Sequence, residues 1–419
     1  MKRDILVIGG GGREHAIVWA LKKSDKCGRL YCAPGNAGID ELAECVNINV
    51  MEFDKISDFA IANKIDTVFV APDDPLAAGL VNHLKSKGIR AFGPDKEAAV
   101  IESSKSFSKD LMKKYNIPTA GYEVFDDYYK ALTYIKNSRL PIVLKADGLA
   151  LGKGVIIADT YESAQAALKE MMIERVFGES GSKVIIEEFM TGQEVSVLCF
   201  TDGKTVKPMV SSQDHKRALD NDRGLNTGGM GTFAPSRAFD GEKLNETMTR
   251  IILPTINAMA SEGRPFKGVL YFGLMMTADG VKVVEYNSRF GDPETQVILP
   301  LLKTDLIDII DAVIDERLDE IEIEWSLKCA VCVILASGGY PKSYAKGLPI
   351  TIGGIDEGIL LFHAGTAIKG GALVTSGGRV MGVTATAETI EKAREKAYAN
   401  VRKIHFDNMH YRTDIGIKL

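Results

Sequence analysis

Gly268–Gln296 reads GVLYFGLMMTADGVKVVEYNSRFGDPETQ. Val269–Met275 is an apolar run with β-branched and aromatic residues, Ala278-Asp279-Gly280 carries turn chemistry, and Val281–Tyr286 resumes the run. This pattern predicts a hairpin of two buried strands. Glu285, Asn287 and Arg289 follow at alternate positions. In an extended chain, residues two apart point to one face, roughly 6–7 Å from each other. A carboxylate, an amide oxygen and a guanidinium would then aim into one space. Oxygen ligands suit a hard cation that takes phosphate oxygens as further ligands, and a neighbouring Arg stabilises charge on a phosphoryl group in transfer. Gly291-Asp292-Pro293-Glu294 turns the chain and adds two carboxylates. The competing reading is a strand end with solvated charges. Against it, a buried strand seldom carries alternating charges without a partner.

Outward from this stretch, composition narrows the classes. The chain has 419 residues, 45% hydrophobic and 26% charged, with a formal net charge of −5. That is enough chain for several domains, and there is no electrostatic footprint for nucleic acid. No apolar run reaches membrane-spanning length. MKRDILVIGG opens directly on a strand, so a signal peptide is not expected and the location expected is cytoplasmic. The six cysteines are scattered. The one CxxC, Cys329–Cys332, lies in the apolar run CAVCVILA, where strand geometry would put its side chains on opposite faces. It reads as core rather than redox or metal chemistry.

Residues 1–100 alternate strand and helix signals: strands at Asp4–Ile8, Arg29–Ala33 and Asp66–Ala71, helices at Glu14–Lys23 and Leu76–Lys87. This alternation predicts a parallel sheet with loops at its carboxyl edge. The glycine loop Gly9–Gly12 fails the dinucleotide pattern, because Glu14 or His15 stands where the third glycine belongs, and no acidic residue closes the second strand. A glycine loop opening a helix still offers N–H groups to an anion, with Arg13 adding charge. The expectation is a single small phosphate; the alternative is a tight turn with no ligand.

Ser103 or Ser104 caps a predicted helix ended by Pro118. Lys105 lies in its first turn, where a cation opposes the helix dipole. Pro141–Ala146 is a buried strand carrying Lys145, followed by the glycine-rich loop Gly148–Gly154 and strand Val155–Ala158. A lysine in a buried strand needs an anion, and a Gly-Lys-Gly loop between strands can fold over phosphates, although it is not a Walker loop. Lys183–Phe189 is a strand whose edge near Glu187 and Glu188 could read an adenine, with Glu194 free for ribose hydroxyls; solvated edge charge is the alternative. Ser212–Gly231 is a long, polar, glycine-rich loop between strong strand signals, which favours function. Residues 326–419 carry strands at Cys329–Ala336, Leu360–Ala364 and Arg379–Thr386 and an amphipathic helix at Thr389–Ile404. They read as a packing or closing unit without chemistry.

In this order, Lys145, the Gly148–Gly154 loop, EEFMTGQE (187–194) and the Glu285–Asn287–Arg289 strand resemble the ATP-grasp ligases. LVIGGGGREHAI, APGNAGI, GPDKEAAVIESSKSF, KADGLALGKGV, QDHKRALDNDRGLNTGGMG and EYNSRFGDPETQ resemble, more closely, the phosphoribosylamine–glycine ligases, or glycinamide ribonucleotide synthetases. The resemblance covers nearly the whole chain. It implies a multidomain α/β and α+β fold: a parallel α/β sheet domain over 1–103, an ATP-grasp core over 104–325 with a lid subdomain at about 122–190, and a mixed α/β domain over 326–419 like that of biotin carboxylase. It implies that glycine is joined to 5-phosphoribosylamine through glycyl phosphate, at the expense of ATP, in purine biosynthesis. The runner-up is another ATP-grasp carboxylate–amine ligase of purine or carboxylation chemistry.

The resemblance also implies roles for residues. Lys105 and Lys145 contact ATP phosphates, with Gly152, Lys153 and Gly154 closing on them. Glu187, Glu188 and Phe189 border the adenine, and Glu194 holds the ribose. Glu285 and Asn287 bind Mg²⁺ or Mn²⁺. Gly10, Gly11, Gly12, Arg13, Glu14 and Asn36 hold phosphoribosylamine, and Asp214 and Arg289 face glycine or its phosphorylated form. Tyr271 stands where other superfamily members often place a first metal-binding carboxylate. The partners implied are small molecules only, with no nucleic acid and no membrane, and the chain is a monomer or homodimer.

Overall fold

The computed structural model describes residues 2–149 and 154–417. Strands β1 (Arg3–Gly9), β2 (Cys27–Pro34), β3 (Glu44–Cys45), β4 (Thr67–Val70) and β5 (Ala91–Phe92) form a parallel sheet in the order β3-β2-β1-β4-β5. Along β1, Ile5 and Val7 enter one core and Leu6 and Ile8 another. Burial on both faces explains why this strand is an unbroken apolar run. Helix α1 (Gly12–Lys22) follows β1, and α2 (Phe53–Ala62) precedes β4. The single helix expected over Leu76–Lys87 is two: α3 (Asp73–Ala78) and α4 (Leu80–Ser86). Gly79 between them has φ +95°, and its amide bonds the Pro75 and Leu76 carbonyls at 3.1 Å. Glycine adopts this left-handed conformation at little cost and ends the first helix.

Helices α5 (Lys96–Ser103) and α6 (Lys105–Lys114) meet at Ser104, whose Oγ accepts the Phe107 amide at 3.2 Å. Next come β6 (Tyr122–Phe125), β7 (Ile142–Ala146), β8 (Val155–Ala158) and β9 (Val184–Glu188), an antiparallel sheet in the order β6-β9-β7-β8. It has its own core, which includes Leu144, Ile186, Ile135 and Leu168.

The chain then runs through β10 (Gln193–Asp202) and β11 (Val206–Pro208) into Ser212–Gly231. That stretch is built rather than loose: β12 (Gln213–Asp214), a hairpin of β13 (Arg217–Leu219) and β14 (Arg223–Asn226), and the approach to β15 (Gly231–Ala234). Strands β16 (Lys267–Thr277) and β17 (Gly280–Asn287) are the expected hairpin and complete a sheet ordered β11-β10-β16-β17. The carboxyl-terminal region contributes β18 (Cys329–Ser337), short β19 (Thr351–Ile352), β20 (Leu360–His363), the β21–β22 hairpin (Thr366–Lys369, Ala372–Thr375) and β23 (Arg379–Ala387). Its main sheet runs β12-β15-β18-β23-β20, so two strands from the middle of the chain belong to it. Helix Ile390–Val401 buries Ile390, Ala393, Ala397 and Val401, the stripe expected from their spacing. Cys332 lies in one core and Cys329 packs against another, as the strand reading required, and both are free thiols. Among the described residues no helix is long and apolar enough to cross a membrane.

A shared apolar core joins these units, and two buried polar joints add to it. The fully buried Arg412 guanidinium pairs with Asp222 at 3.0 Å and Asp414 at 2.7 Å and donates to the Arg217 carbonyl at 3.1 Å. It ties the β13–β14 hairpin to the carboxyl-terminal tail. The second joint is His15 on α1, whose Nδ1 accepts the His363 amide at 2.9 Å. Burial and the nearby His363 push His15 down to about 3, and burial pushes His363 down to about 4.

Arg412→Met should lower unfolding free energy by about 3 kcal/mol, the low end for breaking a buried ion pair because both aspartates keep some contact with water; urea denaturation measures it. The histidines predict an acid limb. Above the unfolded value of 6.5 both states leave them neutral, and they cost nothing. As pH falls from 6.5 towards 4 and then 3, the unfolded chain takes up protons that the folded joint refuses, so stability declines. The slope of stability against pH in that window should be shallower in His15→Gln than in the parent chain.

Candidate active site

In β17 the register against β16 slips by one residue: Leu274 pairs with Val283 but Gly273 pairs with Glu285, leaving Val284 as a bulge. A bulge swaps the faces of a strand downstream of it. Before it, Val281 and Val283 enter the core; after it, Tyr286 does. Glu285 and Asn287 therefore turn to the opposite side. There Arg289 Nη2 donates to Asn287 Oδ1 at 3.2 Å and pairs with Glu102 Oε1 at 3.0 Å, with Asp73 at 3.9 Å. Glu102 also accepts the Ser288 amide and hydroxyl, at 2.7 and 2.8 Å. The last residues of α5 thus clamp the end of the hairpin.

Glu285 borders a small polar cavity of about 20 Å³, also lined by Glu194, Ser196, Asp214, Lys216 and Tyr271. Asp214 Oδ2 pairs with Lys216 at 3.1 Å, and its Oδ1 accepts the His215 amide at 2.7 Å. Burial raises the Asp214 carboxyl and the nearby Glu294 adds to this, while Lys216 works against both. Ser196 Oγ lies 2.9 Å from the Tyr271 hydroxyl and 3.1 Å from Glu294 Oε1. Glu194 is exposed at the cavity mouth.

Among the described residues the Glu285 carboxylate makes no hydrogen bond or ion pair, yet cations ring it. Burial pushes its carboxyl up, but Lys216, Lys145, Lys105 and Arg289 outweigh that and hold it below the ordinary carboxylate range. An ionised, uncommitted carboxylate beside the Asn287 amide oxygen fits a hard divalent cation. No group of three or more His, Cys, Asp or Glu able to hold a metal stands among the described residues. A cation on Glu285 and Asn287 would therefore take other ligands from phosphate oxygens and water.

The antiparallel β6-β9-β7-β8 sheet meets the hairpin here through Lys145. Lys105 Nζ donates to the Gly148 carbonyl. Lys145 is only 5% exposed; its Nζ pairs with Glu187 Oε1 at 2.9 Å and donates to the Val284 carbonyl at 3.2 Å. Glu187 is not the solvated edge charge that the sequence left as an alternative. It is 3% exposed and turned inward onto Lys145 and Lys109. Glu188 and Phe189 are exposed beside it. The Gly154 carbonyl accepts the Ala146 amide at 2.8 Å, while Gly152 and Lys153 lie outside the described residues.

The glycine loop differs from the open anion cradle expected for it. Glu14 Oε2 accepts the Gly11 amide at 2.6 Å, and its Oε1 takes Arg13 Nε at 2.7 Å. Asp292 accepts the Arg13 amide. The start of α1 is thus already capped by two carboxylates of the protein. Asn36 is equally committed: Nδ2 donates to the Gly10 and His363 carbonyls at 2.9 and 2.8 Å, and Oδ1 accepts the Gly38 and Ile39 amides at 2.9 and 3.0 Å. Its side chain has no capacity left for a ligand and instead fixes the loop at Gly10. The tight fit at Gly10 supports this role, since a Cβ there would stand 2.4 Å from the Gly35 carbonyl. Gly12 is packed the same way, against Gln296.

Four contributors were not singled out from sequence. Lys109, Lys216, Glu102 and Arg379 all reach the site or its supports. Two had a usable signal: Lys109 is four residues beyond Lys105 on one helix face, and Lys216 is two beyond Asp214. Arg379 corrects the reading of the last unit as packing alone. Its guanidinium donates to the Gly228 and Asp292 carbonyls at 2.6 and 2.8 Å and lies 3.4 Å from the Asp292 carboxylate.

Known proteins resemble the chain along nearly its whole length. The chain matches the phosphoribosylglycinamide synthetase family along its length: the N domain over residues 3–102, the ATP-grasp (A) domain over 103–295 and the C domain over 330–418. A phosphoribosylamine–glycine ligase of Caldanaerobacter subterraneus is 50% identical over 414 residues, covering 98% of this chain and 99% of the relative. One of Brucella melitensis is 47% identical over 416 residues, covering 98% and 97%. The crystal structure of a phosphoribosylamine–glycine ligase from Thermotoga maritima superposes with TM-score 0.86 at 34% identity, covering 98% of this chain and 99% of that one. The biotin carboxylase domain of the Hydrogenobacter thermophilus 2-oxoglutarate carboxylase shares the fold at TM-score 0.72 and 16% identity, over 98% and 92% of the chains. With a parallel-sheet first domain, an ATP-grasp core and a carboxyl-terminal domain in register with these relatives, the chain belongs to the phosphoribosylglycinamide synthetase family and is an ATP-dependent carbon–nitrogen ligase.

Proposed function

We propose that this ligase joins glycine to 5-phosphoribosylamine through glycyl phosphate, giving glycinamide ribonucleotide, ADP and phosphate, as a cytoplasmic step of purine biosynthesis. The observation that carries the proposal is the uncommitted Glu285 carboxylate ringed by Lys216, Lys145, Lys105 and Arg289. Such a site offers a free carboxylate for a divalent cation and ammonium and guanidinium groups for phosphate oxygens, the two kinds of group that a metal-bound polyphosphate takes. The names of the close relatives supply the substrates. In this reading residues 1–103, 104–325 and 326–419 are the three domains.

A carboxylate is a poor electrophile, so it must be activated before an amine attacks it. The glycine carboxylate oxygen attacks the γ-phosphorus of ATP, the bond to the ADP oxygen breaks, and an acyl phosphate forms. The amine of phosphoribosylamine then attacks the acyl carbon, phosphate leaves with the oxygen, and the amine loses a proton. Lys105 and Lys145 hold the triphosphate, and the Gly148–Gly154 loop covers it and keeps water from the acyl phosphate. Glu188 and Phe189 border the adenine, and Glu194, at the cavity mouth, takes the ribose. Glu285 and Asn287 would hold Mg²⁺ or Mn²⁺, which when bound neutralises charge across neighbouring phosphate oxygens. Arg289, fixed by Glu102, faces the transferred phosphoryl group. Asp214, paired with Lys216, faces the glycine ammonium. Gly10–Glu14 frame phosphoribosylamine through backbone and Arg13, with Asn36 as the brace of that frame.

ADP release should require glycine and phosphoribosylamine together. A coupled assay across a panel of acids and amines checks this, and turnover with bicarbonate or formate in place of glycine would favour a different carboxylate–amine ligase. Glu285→Ala should lower kcat by roughly 10³-fold or more while the unfolding transition stays cooperative; unchanged turnover would refute the metal assignment. Chelation by EDTA should abolish ADP release, and added Mg²⁺ or Mn²⁺ should restore it in the parent chain and not in Glu285→Ala.

A further inference from the structure

In the β6-β9-β7-β8 sheet and the helix against it, two lysines and one glutamate form a buried cluster that phosphate binding alone does not explain. Glu187 on β9 sits diagonally across the ladder from Lys145 on β7, since Lys145 pairs with Ile185. Its Oε1 takes Lys145 Nζ at 2.9 Å and its Oε2 takes Lys109 Nζ at 2.9 Å. Lys109 comes from α6, one turn beyond Lys105, and is 2% exposed. Its Nζ also donates to Thr119 Oγ1 at 2.8 Å, and Thr119 donates in turn to the Val283 carbonyl at 2.8 Å, beside the bulge. Thus two ammonium groups share one carboxylate in a dry setting.

One of those ammonium groups, Lys145, is the one the proposed reading sends to the nucleotide. Its Nζ is shared between Glu187 and the Val284 carbonyl, so a turn towards phosphate draws it away from Glu187. Were Glu187 its sole carboxylate and Lys145 the sole cation of that carboxylate, each step towards ATP would strand a buried anion, at a cost that opposes binding. Lys109 removes this conflict. Anchored by Thr119, it stays on Glu187 whichever way Lys145 points.

We propose that Lys109 is a positioning residue for ATP: it is the standing counter-ion of Glu187, and by occupying that carboxylate it frees the Lys145 ammonium for the nucleotide phosphates. The inference rests on the assignment of Lys145 to phosphate. Burial brings Lys109 down to about 8, against the pull of Glu187. The groups facing it are Glu187, Lys145, Glu188, Thr119 and the Tyr122 ring, whose centroid lies 5.6 Å from its Nζ.

The test is a double-mutant cycle on the full-length enzyme with two readouts, KM for ATP and thermal midpoint. Lys109→Met should raise KM for ATP about 10-fold or more and change kcat by less than about 3-fold, because the reacting atoms are untouched. Adding Glu187→Gln to Lys109→Met should bring KM for ATP back towards the parent value, since Lys145 then has no carboxylate to hold it. The same double variant should melt lower than Lys109→Met, because it leaves Lys145 unpaired in the free enzyme. A role in packing alone moves both readouts the same way, so the opposite signs identify the counter-ion role. Failure of Glu187→Gln to rescue KM, or an unchanged KM in Lys109→Met, overturns the inference. Lys145→Met separates the two levels. If it binds ATP like the parent chain, the assignment of Lys145 itself falls; if it binds weakly while Lys109→Met does not, only the role of Lys109 falls.

Discussion

A single slip of register at Val284 determines which side chains of the β16–β17 hairpin meet the core and which meet the cleft. Upstream of it the odd-numbered valines are buried; downstream the buried residue is Tyr286, and the odd positions Glu285 and Asn287 are released to the other side. Without the slip, a strand that packs Val281 and Val283 inward would pack Glu285 inward as well, at the cost of a buried charge with no water around it. The carbonyl of the bulged residue is also put to use, as an acceptor for Lys145. The remaining apparatus is arranged around that released carboxylate.

Charge is distributed around it unevenly. Arg289 is held by Glu102 and Asp73, and Lys216 by Asp214, while Lys145 and Lys109 share Glu187. Each cation has a partner that fixes its direction, and Glu285 faces several of them without touching any. Direct contact would have made the site a closed ion-pair network, which is stable but has little reason to admit an anion. Holding the cations on other carboxylates leaves Glu285 unspent and able to take a cation of its own.

Much of this was legible in the sequence, where the evidence was local. The alternation of Glu285, Asn287 and Arg289 survives because the bulge lies upstream of all three. The parallel sheet was readable because doubly buried strands are continuous apolar runs, and the cysteine spacing because strand geometry is rigid. What could not be read depended on distant partners. Asn36 is spent on a carbonyl of His363, far along the chain, so its amide looked available when it was not. Glu187 looked like an edge acid until α6 brought Lys109 beneath it. The glycine loop looked like an empty anion site because nothing nearby in sequence shows that Asp292 caps it. The split of the helix at Gly79 was a local feature that the apolar spacing concealed.

Strands β12 and β15 pair with the carboxyl-terminal sheet, β15 through Gly231–Ala234 against Ala330–Val333. During synthesis these strands leave the ribosome well before the strand they need exists. At about 5–20 residues per second the wait is on the order of 5–20 s. For that interval the nascent chain carries an open β edge next to its future catalytic cleft, a place where another extended segment could insert. That edge is covered only once Ala330–Val333 have been made, so the surroundings of the cleft mature with a strand about 100 residues further along rather than with their own local sequence.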